Sequence, residues 1–421
     1  MELSISKIHA ALYLANNLPE YLFPKSPLVT CLGAQTLDLD DVQIAKSWLK
    51  NCNDWYDPEI VVRFETEFAR WNGSEYAYAF MGGRVALSAC IYALDLKPGD
   101  EVILPGYTCV VVPNAFKYAG IKTVYSDIEL DTYGLDVQQL KTKVTPNTRA
   151  ILLQHLYGLV CRDYEEILEF AQHHNLKVIE DCAHATGAVY KGIKVGNRGD
   201  VAFYSSNRSK VFYTVEGGIA VTNDEAISDR LKTFYNSAAF PNRDLINKLL
   251  HNVFLDYYSF KHRQRSVFKT WIWMQYGDKY YVSTSDEEQS GGCPPNYIAK
   301  LPAPLAALGL NQLKKIDSYN NLRRQTAKQW DAWCERNYYR KPIVITDSTP
   351  AFLRYPVLME PEKKADISWA AKELRVELGV WFVSNLHPAK FVVLGCPNAD
   401  MAVKQCVNLP GVCLDVNASR Q

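Results

Sequence analysis

Asp181, His184, Ser205 and Lys210 bring a carboxylate, an imidazole, a hydroxyl and an amine into one short span of the chain. An apolar run at 177–179 ends in Glu180 and Asp181, and a second at 201–204 ends in the polar loop SSNRSK. Both runs read as buried strands whose C-terminal ends deliver side chains. In an open α/β sheet the ligand crevice lies outside those ends, so the four groups are predicted to face one site. Together they suit pyridoxal 5′-phosphate, with the lysine as Schiff-base partner and the aspartate paired with the pyridinium nitrogen. Taken singly, each has a plainer reading: Asp181 caps a helix, His184 satisfies a core hydrogen bond, and Lys210 sits in solvent. Their arrival at two strand ends is what argues for catalysis.

The elements that must position them follow from the apolar pattern. Strands are predicted at 76–80, 101–104, 123–126, 150–154, 177–180, 201–204 and 218–222, with helical patterns between them at 85–94, 111–118 and 164–174. That alternation predicts an α/β fold, a three-layer α/β/α arrangement around a mostly parallel sheet. Gly82 and Gly83 turn the first strand into a helix whose leading amides are unpaired, an arrangement suited to phosphate. Earlier, acidic LDLDD opens a helix at 39–49, and Phe64, Phe68 and Trp71 share a helical face that stops at Gly73. Paired apolar residues at 244–281 predict an amphipathic helix leading into a basic, aromatic run. Docking onto the body or a dimer partner is the favoured reading of that stretch, and membrane-surface contact the less favoured one. SDEEQSGG at 285–292 reads as a flexible loop. A long helix from Leu305, a strand at 355–359 and a helix at 366–378 predict a smaller α+β C-terminal lobe. The expected division is a 1–60 segment packing on the lobes, a 61–300 cofactor-binding domain with an insertion at 244–292, and a 301–421 small domain.

EDCAHATGA, then SSNRSK, then EGG, in this order and spacing, resemble the DegT/DnrJ/EryC1/StrS family of sugar aminotransferases, a branch of the fold-type I pyridoxal phosphate enzymes. The resemblance runs from FETEF at 64–68 through LGCPNADMAVKQCVNLP. It implies that Lys210 bonds the cofactor, Asp181 holds the ring nitrogen, His184 lies beside the ring and Ser205 binds phosphate. Gly83 and Arg84 match the last two positions of the turn that cups the phosphate. The implied reaction transfers an amino group, with L-glutamate as donor, to a keto-sugar carried on a nucleotide, for cell-surface polysaccharide or secondary-metabolite biosynthesis. A homodimer with shared sites is also implied. Two positions depart from the pattern. Cys109 stands where an aromatic residue stacks on the cofactor, leaving Tyr107 to take that role or the stacking absent. Near NYIAKLPAPLAALGL, Ile298 and Lys300 occupy positions at which the family carries asparagine and arginine. Asn296, two residues early, and Lys300 are therefore the candidates on a 291–300 loop expected to reach the partner's site. His387 falls near the family's substrate entrance. A sugar dehydratase of this family carries histidine at the position of Lys210, and the presence of Lys210 and Asp181 argues against a cofactor-free binding homologue. A non-sugar cyclic ketone remains open as acceptor.

Composition narrows the partners. The 421 residues hold 46 basic and 46 acidic side chains, a balance with no pull toward nucleic acid. A hydrophobic content of 48% with 26 tyrosines is enough for a large core. Eleven cysteines without a CxxC pair support neither a metal site nor a disulfide framework, so a reducing cytoplasm is the expected compartment. No signal peptide and no apolar run of about 20 residues is visible.

Overall fold

The computed structural model describes residues 30, 32–261, 280–389 and 391–413. Helix α1 (Leu39–Lys50) opens under Asp38 in a capping box with Asp41. Helix α2 (Pro58–Asn72) is capped by Asp57, whose side chain accepts the Glu59 amide, and it stops at Gly73 in the left-handed region. The seven main strands follow as β1 (Tyr76–Phe80), β2 (Glu101–Pro105), β3 (Lys122–Ser126), β4 (Thr148–Gln154), β5 (Lys177–Asp181), β6 (Val201–Ser205) and β7 (Gly218–Thr222). Between them lie α3 (Gly83–Ala93), α4 (Val111–Tyr118) and α5 (Tyr164–His173). The strands form one sheet in the order β1-β7-β6-β5-β4-β2-β3. Every pairing among β2 to β6 is parallel, and β7 alone runs against its neighbours.

Successive residues of these strands enter opposite cores, which is why they read as continuous apolar runs. Ile103, Ile151, Leu153, Val178 and Ala202 pack on one face with α2. Val102, Leu104, Ala150, Leu152, Ile179 and Val201 pack on the other with α3 and α4. The sheet is thus the middle of three layers.

After β7 come α6 (Glu225–Ser237) and α7 (Arg243–Asp256), capped by Asp224 and Asn242 respectively. The apolar pairs of α7 face inward: Ile246, Leu249, Leu250 and Val253 are buried in the core of their own chain. The helix loosens into a single π-turn, Tyr257–Lys261, and most of the basic, aromatic run lies outside the described residues. The expected flexible loop at 285–292 is instead a short helix, α8 (Asp286–Gln289), with a Ser285–Glu288 capping box. Acidic and glycine content concealed it, because the charge of Glu288 is neutralised by a distant residue, Arg84.

Helix α9 (Ala303–Leu313) packs on α2, and α10 (Ile316–Arg336) carries the chain to the C-terminal lobe. There Arg354–Leu358 and Cys406–Pro410 pair antiparallel beneath α11 (Pro397–Gln405), around Trp330, Tyr355, Val357, Val407 and Leu409. This is a smaller α+β unit. Asp41, fully enclosed, accepts from Asn311, Gln312 and Lys315 and pins α1 to the start of this passage.

The α2–α9 contact depends on Gly309, where a Cβ would stand 2.5 Å from Phe64 Cε2 and 2.7 Å from Cζ. Phe64 is itself enclosed and has no room to retreat. Gly309→Ala should therefore lower stability by about 1–3 kcal/mol through overpacking, although alanine is the better helix former by about 1 kcal/mol. Urea denaturation of the two proteins measures the sign.

Candidate active site

A cavity of about 270 Å³ opens at the C-terminal ends of β4, β5 and β6. Gly83, Cys109, Asp181, His184, Ser205, Lys210 and His387 line it, and so does Arg84. Most of the residues singled out by type and spacing thus meet in one place.

The adjacent carboxylates of β5 leave the strand in opposite directions. Glu180 accepts from His155 Nε2 at 3.1 Å, Tyr164 at 2.6 Å, and the amides of Gly196, Arg198 and Gly199 at 2.7, 2.9 and 2.6 Å. The Cys161 amide donates to His155 Nδ1, so the proton sits on Nε2 and points at Glu180. Burial pushes the Glu180 carboxyl up, but these donors outweigh it and hold it below its usual range. His155, Glu180 and Cys182 are close enough together to suggest a metal site, yet the Glu180 oxygens are already taken up by the protein. Asp181 faces the cavity with the Ala183 amide 3.0 Å from its Oδ1. Burial pushes its carboxyl up to about 6 against the pull of that amide and of Lys210.

Lys210 is held by its own amide, which donates to the Asn207 carbonyl at 2.9 Å. Burial lowers its ammonium pKa, with Cys109 and Asp181 working the other way. Its Nζ lies 5.4 Å from the centre of the Trp381 ring. That ring stacks on His184 at 5.2 Å and 16°. His184 Nδ1 accepts the Tyr157 amide, and burial with the nearby Lys210 and Arg354 cations keeps the imidazole neutral.

At the far end a cradle forms. A Cβ on Gly83 would stand 3.0 Å from Ser205 Cβ and 3.3 Å from its Oγ. One on Gly218 would lie 2.3 Å from the Gly82 carbonyl carbon, so the second glycine of EGG exists for backbone-to-backbone contact with that turn. Arg84 follows in this turn, with its guanidinium engaged by both oxygens of Glu288 at 2.8 and 2.7 Å.

One expectation is corrected. Tyr107 does not reach the cavity: it is enclosed among Tyr133, Tyr157 and Phe382, with its hydroxyl 3.0 Å from that of Tyr157 and accepting the Phe382 amide. Asn296 is exposed and lines a separate hollow with Tyr297 and Pro294. Lys300 lies over the Tyr235 and Phe240 rings, at 4.7 and 5.6 Å. Neither enters the cavity of its own chain. His387 does enter, because Leu386–His387 pairs parallel with Thr108–Cys109. Burial and the cations Lys364, Lys210 and Arg354 push it down to about 4.

Several lining residues escaped sequence reasoning. Gln154 ends β4 as Asp181 ends β5, a signal that was legible; it accepts from Thr108 at 2.5 Å. Trp381, Ser283 and Thr284 carry no local pattern that marks them.

The sequence profile of the DegT/DnrJ/EryC1/StrS aminotransferase family matches residues 41–414. The chain belongs to this family. It is 40% identical to GDP-perosamine synthase of Caulobacter vibrioides over 184 residues, 44% of this chain and 49% of that one. The match to GDP-perosamine synthase of Escherichia coli O157:H7 is 40% over 193 residues, 45% and 53%. The chain thus spans about half the length of these two relatives. The spore coat polysaccharide biosynthesis protein SpsC of Bacillus subtilis is 30% identical over 366 residues, 83% of this chain and 84% of that protein. Among solved structures, S. venezuelae DesV in complex with a ketimine intermediate superposes with a TM-score of 0.69 at 23% identity, covering 88% and 89%. The E. coli GDP-4-keto-6-deoxy-D-mannose-3-dehydratase with bound hydrated PLP gives 0.69 at 21%, covering 91% and 95%. At these identities the superpositions establish the fold.

The cavity fits the family's cofactor, pyridoxal 5′-phosphate. It offers an enclosed carboxylate suited to the ring nitrogen, an amine suited to the aldehyde carbon, and, beside the Ser205 hydroxyl, a helix-opening turn at which Gly83 leaves out its Cβ, suited to the phosphate.

The raised pKa of Asp181 has a consequence for stability. In the unfolded chain the group ionises near its usual value, whereas the folded, cofactor-free protein resists ionisation until about pH 6. The group therefore costs the fold nothing below about pH 4 and progressively more up to about pH 6. Asp181→Asn should make the cofactor-free protein more stable at pH 7.5, by on the order of 2 kcal/mol, with the gain vanishing near pH 4. Urea melts of both proteins across that range test it.

Proposed function

We propose that the protein is a pyridoxal phosphate-dependent aminotransferase that moves an amino group from an amino-acid donor, L-glutamate, to a keto-sugar carried on a nucleotide. The observation that carries this reading is the convergence of Asp181, Lys210 and the Gly83–Ser205 cradle on one cavity at neighbouring strand ends. The 40% identity to two GDP-perosamine synthases supports the sugar acceptor. The pathway proposed is cell-surface polysaccharide or secondary-metabolite biosynthesis. A homodimer in a reducing cytoplasm completes the reading. In support of that compartment, the ten cysteines among the described residues are free thiols, and no helix among those residues is long and apolar enough to cross a membrane.

Pyridoxal phosphate, when bound, supplies an electron sink for negative charge on the carbon beside the transferred nitrogen. Asp181 would hold the protonated ring nitrogen, and its burial would make that ion pair stronger than it is in water. With the cofactor bound, Lys210 Nζ would take the proton from the donor's α-carbon in the first half of the reaction and deliver one to the sugar carbon in the second. Its depressed pKa favours the neutral amine that this role requires. His184 and His387 remain neutral and bind by hydrogen bonding rather than charge.

Lys210→Ala should abolish transfer and the borohydride-reducible link to the cofactor. A reducible link at another lysine would overturn the assignment. Asp181→Asn should slow the single-turnover reaction with donor by orders of magnitude while the protein stays folded, and an unchanged rate would exclude the ring-nitrogen role. Incubating the protein with glutamate and a panel of nucleotide-linked 3-keto and 4-keto sugars, with mass spectrometric detection, identifies the acceptor. Failure of every such sugar alongside amination of a free cyclic ketone would reject the nucleotide-sugar reading.

A further inference from the structure

Lys210 sits in a loop whose two flanks are tied to one enclosed carboxylate. Asp256 closes α7 and is fully buried. Its Oδ2 accepts the Tyr213 hydroxyl at 2.6 Å and lies 3.6 Å from Arg208 Nε, and its Oδ1 accepts the Tyr280 hydroxyl at 2.9 Å. Arg208 stands two positions before Lys210 and Tyr213 three after it, so a single side chain grips the loop on both sides of the amine. The Arg208 guanidinium also lies over the Tyr280 ring, with Cζ 4.1 Å from its centre, and its Nη2 donates to Asn252 Oδ1 at 3.4 Å. Asn252 Oδ1 accepts the Tyr281 amide as well, at 2.9 Å. Helix α7 and the start of a strap at 280–292, whose Ser283 and Thr284 line the cavity, are thereby fastened to the same loop.

The loop backbone is held from other directions. The Arg208 amide donates to the Val215 carbonyl at 3.2 Å, and the Arg208 carbonyl accepts the Ala34 amide at 2.8 Å. The Val211 carbonyl accepts from Arg323 Nη2 on α10 at 2.7 Å, and the Tyr213 amide donates to Gln312 Oε1 on α9 at 3.1 Å. Lys210 Nζ forms no hydrogen bond or ion pair with a described residue, and the ring of Trp381 lies 5.4 Å away. The reach of the amine is therefore set by this frame and not by a bond of its own.

We propose that Asp256 is a positioning residue for Lys210, acting through Arg208 and Tyr213 to hold the amine within bonding reach of a carbonyl carbon in the cavity. The inference rests on the reading of Lys210 as the residue that bonds the cofactor. Bond formation at Nζ depends steeply on where that atom stands, and a misplacement of about 1 Å can cost on the order of a hundredfold. The lysine stem is flexible and has much rotamer freedom to lose, so fixed flanks lower the entropic cost of reaching the carbonyl. A carboxylate suits the place because three donors converge on its two oxygens. An amide of the same shape does not replace it, since its one oxygen serves one side and its NH2 confronts a donor on the other.

The test compares two forms of the cofactor. Pyridoxal 5′-phosphate carries the aldehyde that Lys210 bonds, and pyridoxamine 5′-phosphate fills the same cavity without that bond. In equilibrium titrations of cofactor-free protein, Asp256→Asn should weaken binding of the aldehyde form by roughly tenfold and leave the amine form within about twofold of wild type. A general loosening of the fold would weaken both forms alike, and that result, or no change in either, overturns the proposal. Arg208→Gln should reproduce the effect, and the double variant should be no weaker than the worse single variant, because the two residues act in one chain of contacts. Additive losses would overturn the route through Arg208. Tyr213→Phe removes one hydroxyl and leaves Asp256 beside Arg208, so it should show the same selectivity at roughly threefold, and it decides the question should Asp256→Asn fail to fold. If wild-type protein forms no borohydride-reducible link at Lys210, the reading of the site fails and the role of Asp256 falls with it.

Discussion

Two neighbouring carboxylates, both taken out of water at the end of β5, set the constraint around which this molecule is arranged. Burying a carboxylate costs several kcal/mol unless donors or a cation replace its hydration. Glu180 is compensated wholly within the protein, by an imidazole, a phenol and three backbone amides. Those bonds draw α5, the 196–199 turn and the His155 segment onto the strand. Asp181, one residue on, receives the Ala183 amide and the distant field of Lys210, which leave its carboxyl raised. In the function proposed for this site, a cationic ring nitrogen would supply what is missing. One carboxylate thus builds the floor of the site, and the other faces the cavity only partly compensated.

The same economy of charge governs the rest of the cavity. Burial, aided by Lys210 and Arg354 near both groups and by Lys364 near His387, keeps the imidazoles of His184 and His387 neutral. Lys364 is itself engaged by the carbonyls of Phe382, Ala402 and Val403, which ties the wall formed by Trp381 and Phe382 to the C-terminal end of α11. Arg354 lies over Trp381, with Cζ 3.7 Å from the ring centre. The smaller lobe therefore contributes a fixed aromatic and imidazole wall, while the larger lobe contributes the acid, the amine and the cradle. The short Thr108–Cys109 and Leu386–His387 pairing joins the two lobes at the site itself.

Much of the larger lobe was legible because of how its strands are buried. Central residues of β2, β4, β5 and β6 alternate between two apolar layers, so each strand carries a continuous apolar run between polar ends and stands out from the amphipathic helices between. Strand ends were legible for the same reason: a polar residue that terminates such a run, such as Asp181 or Ser205, has nowhere to go but the crevice. The strap at 280–292 was not legible. Its stability comes from Arg84, Asn114 and Lys117, about 170 or more positions away in sequence, and its own composition resembles a solvated turn.

What the amino-acid sequence determined by itself was the layered sheet, the placing of Asp181, His184, Ser205 and Lys210 at its ligand-binding edge, and the family to which their order points. These are local properties, encoded in periodicity and in what interrupts it. Only the tertiary structure decided that Glu180 belongs to the scaffold, that Tyr107 is core, that His387 and Trp381 enter the cavity, and that Ser283 and Thr284 close it. Each of those outcomes depends on which distant group reaches a buried atom first, and the free energy of a buried contact is set by both partners together.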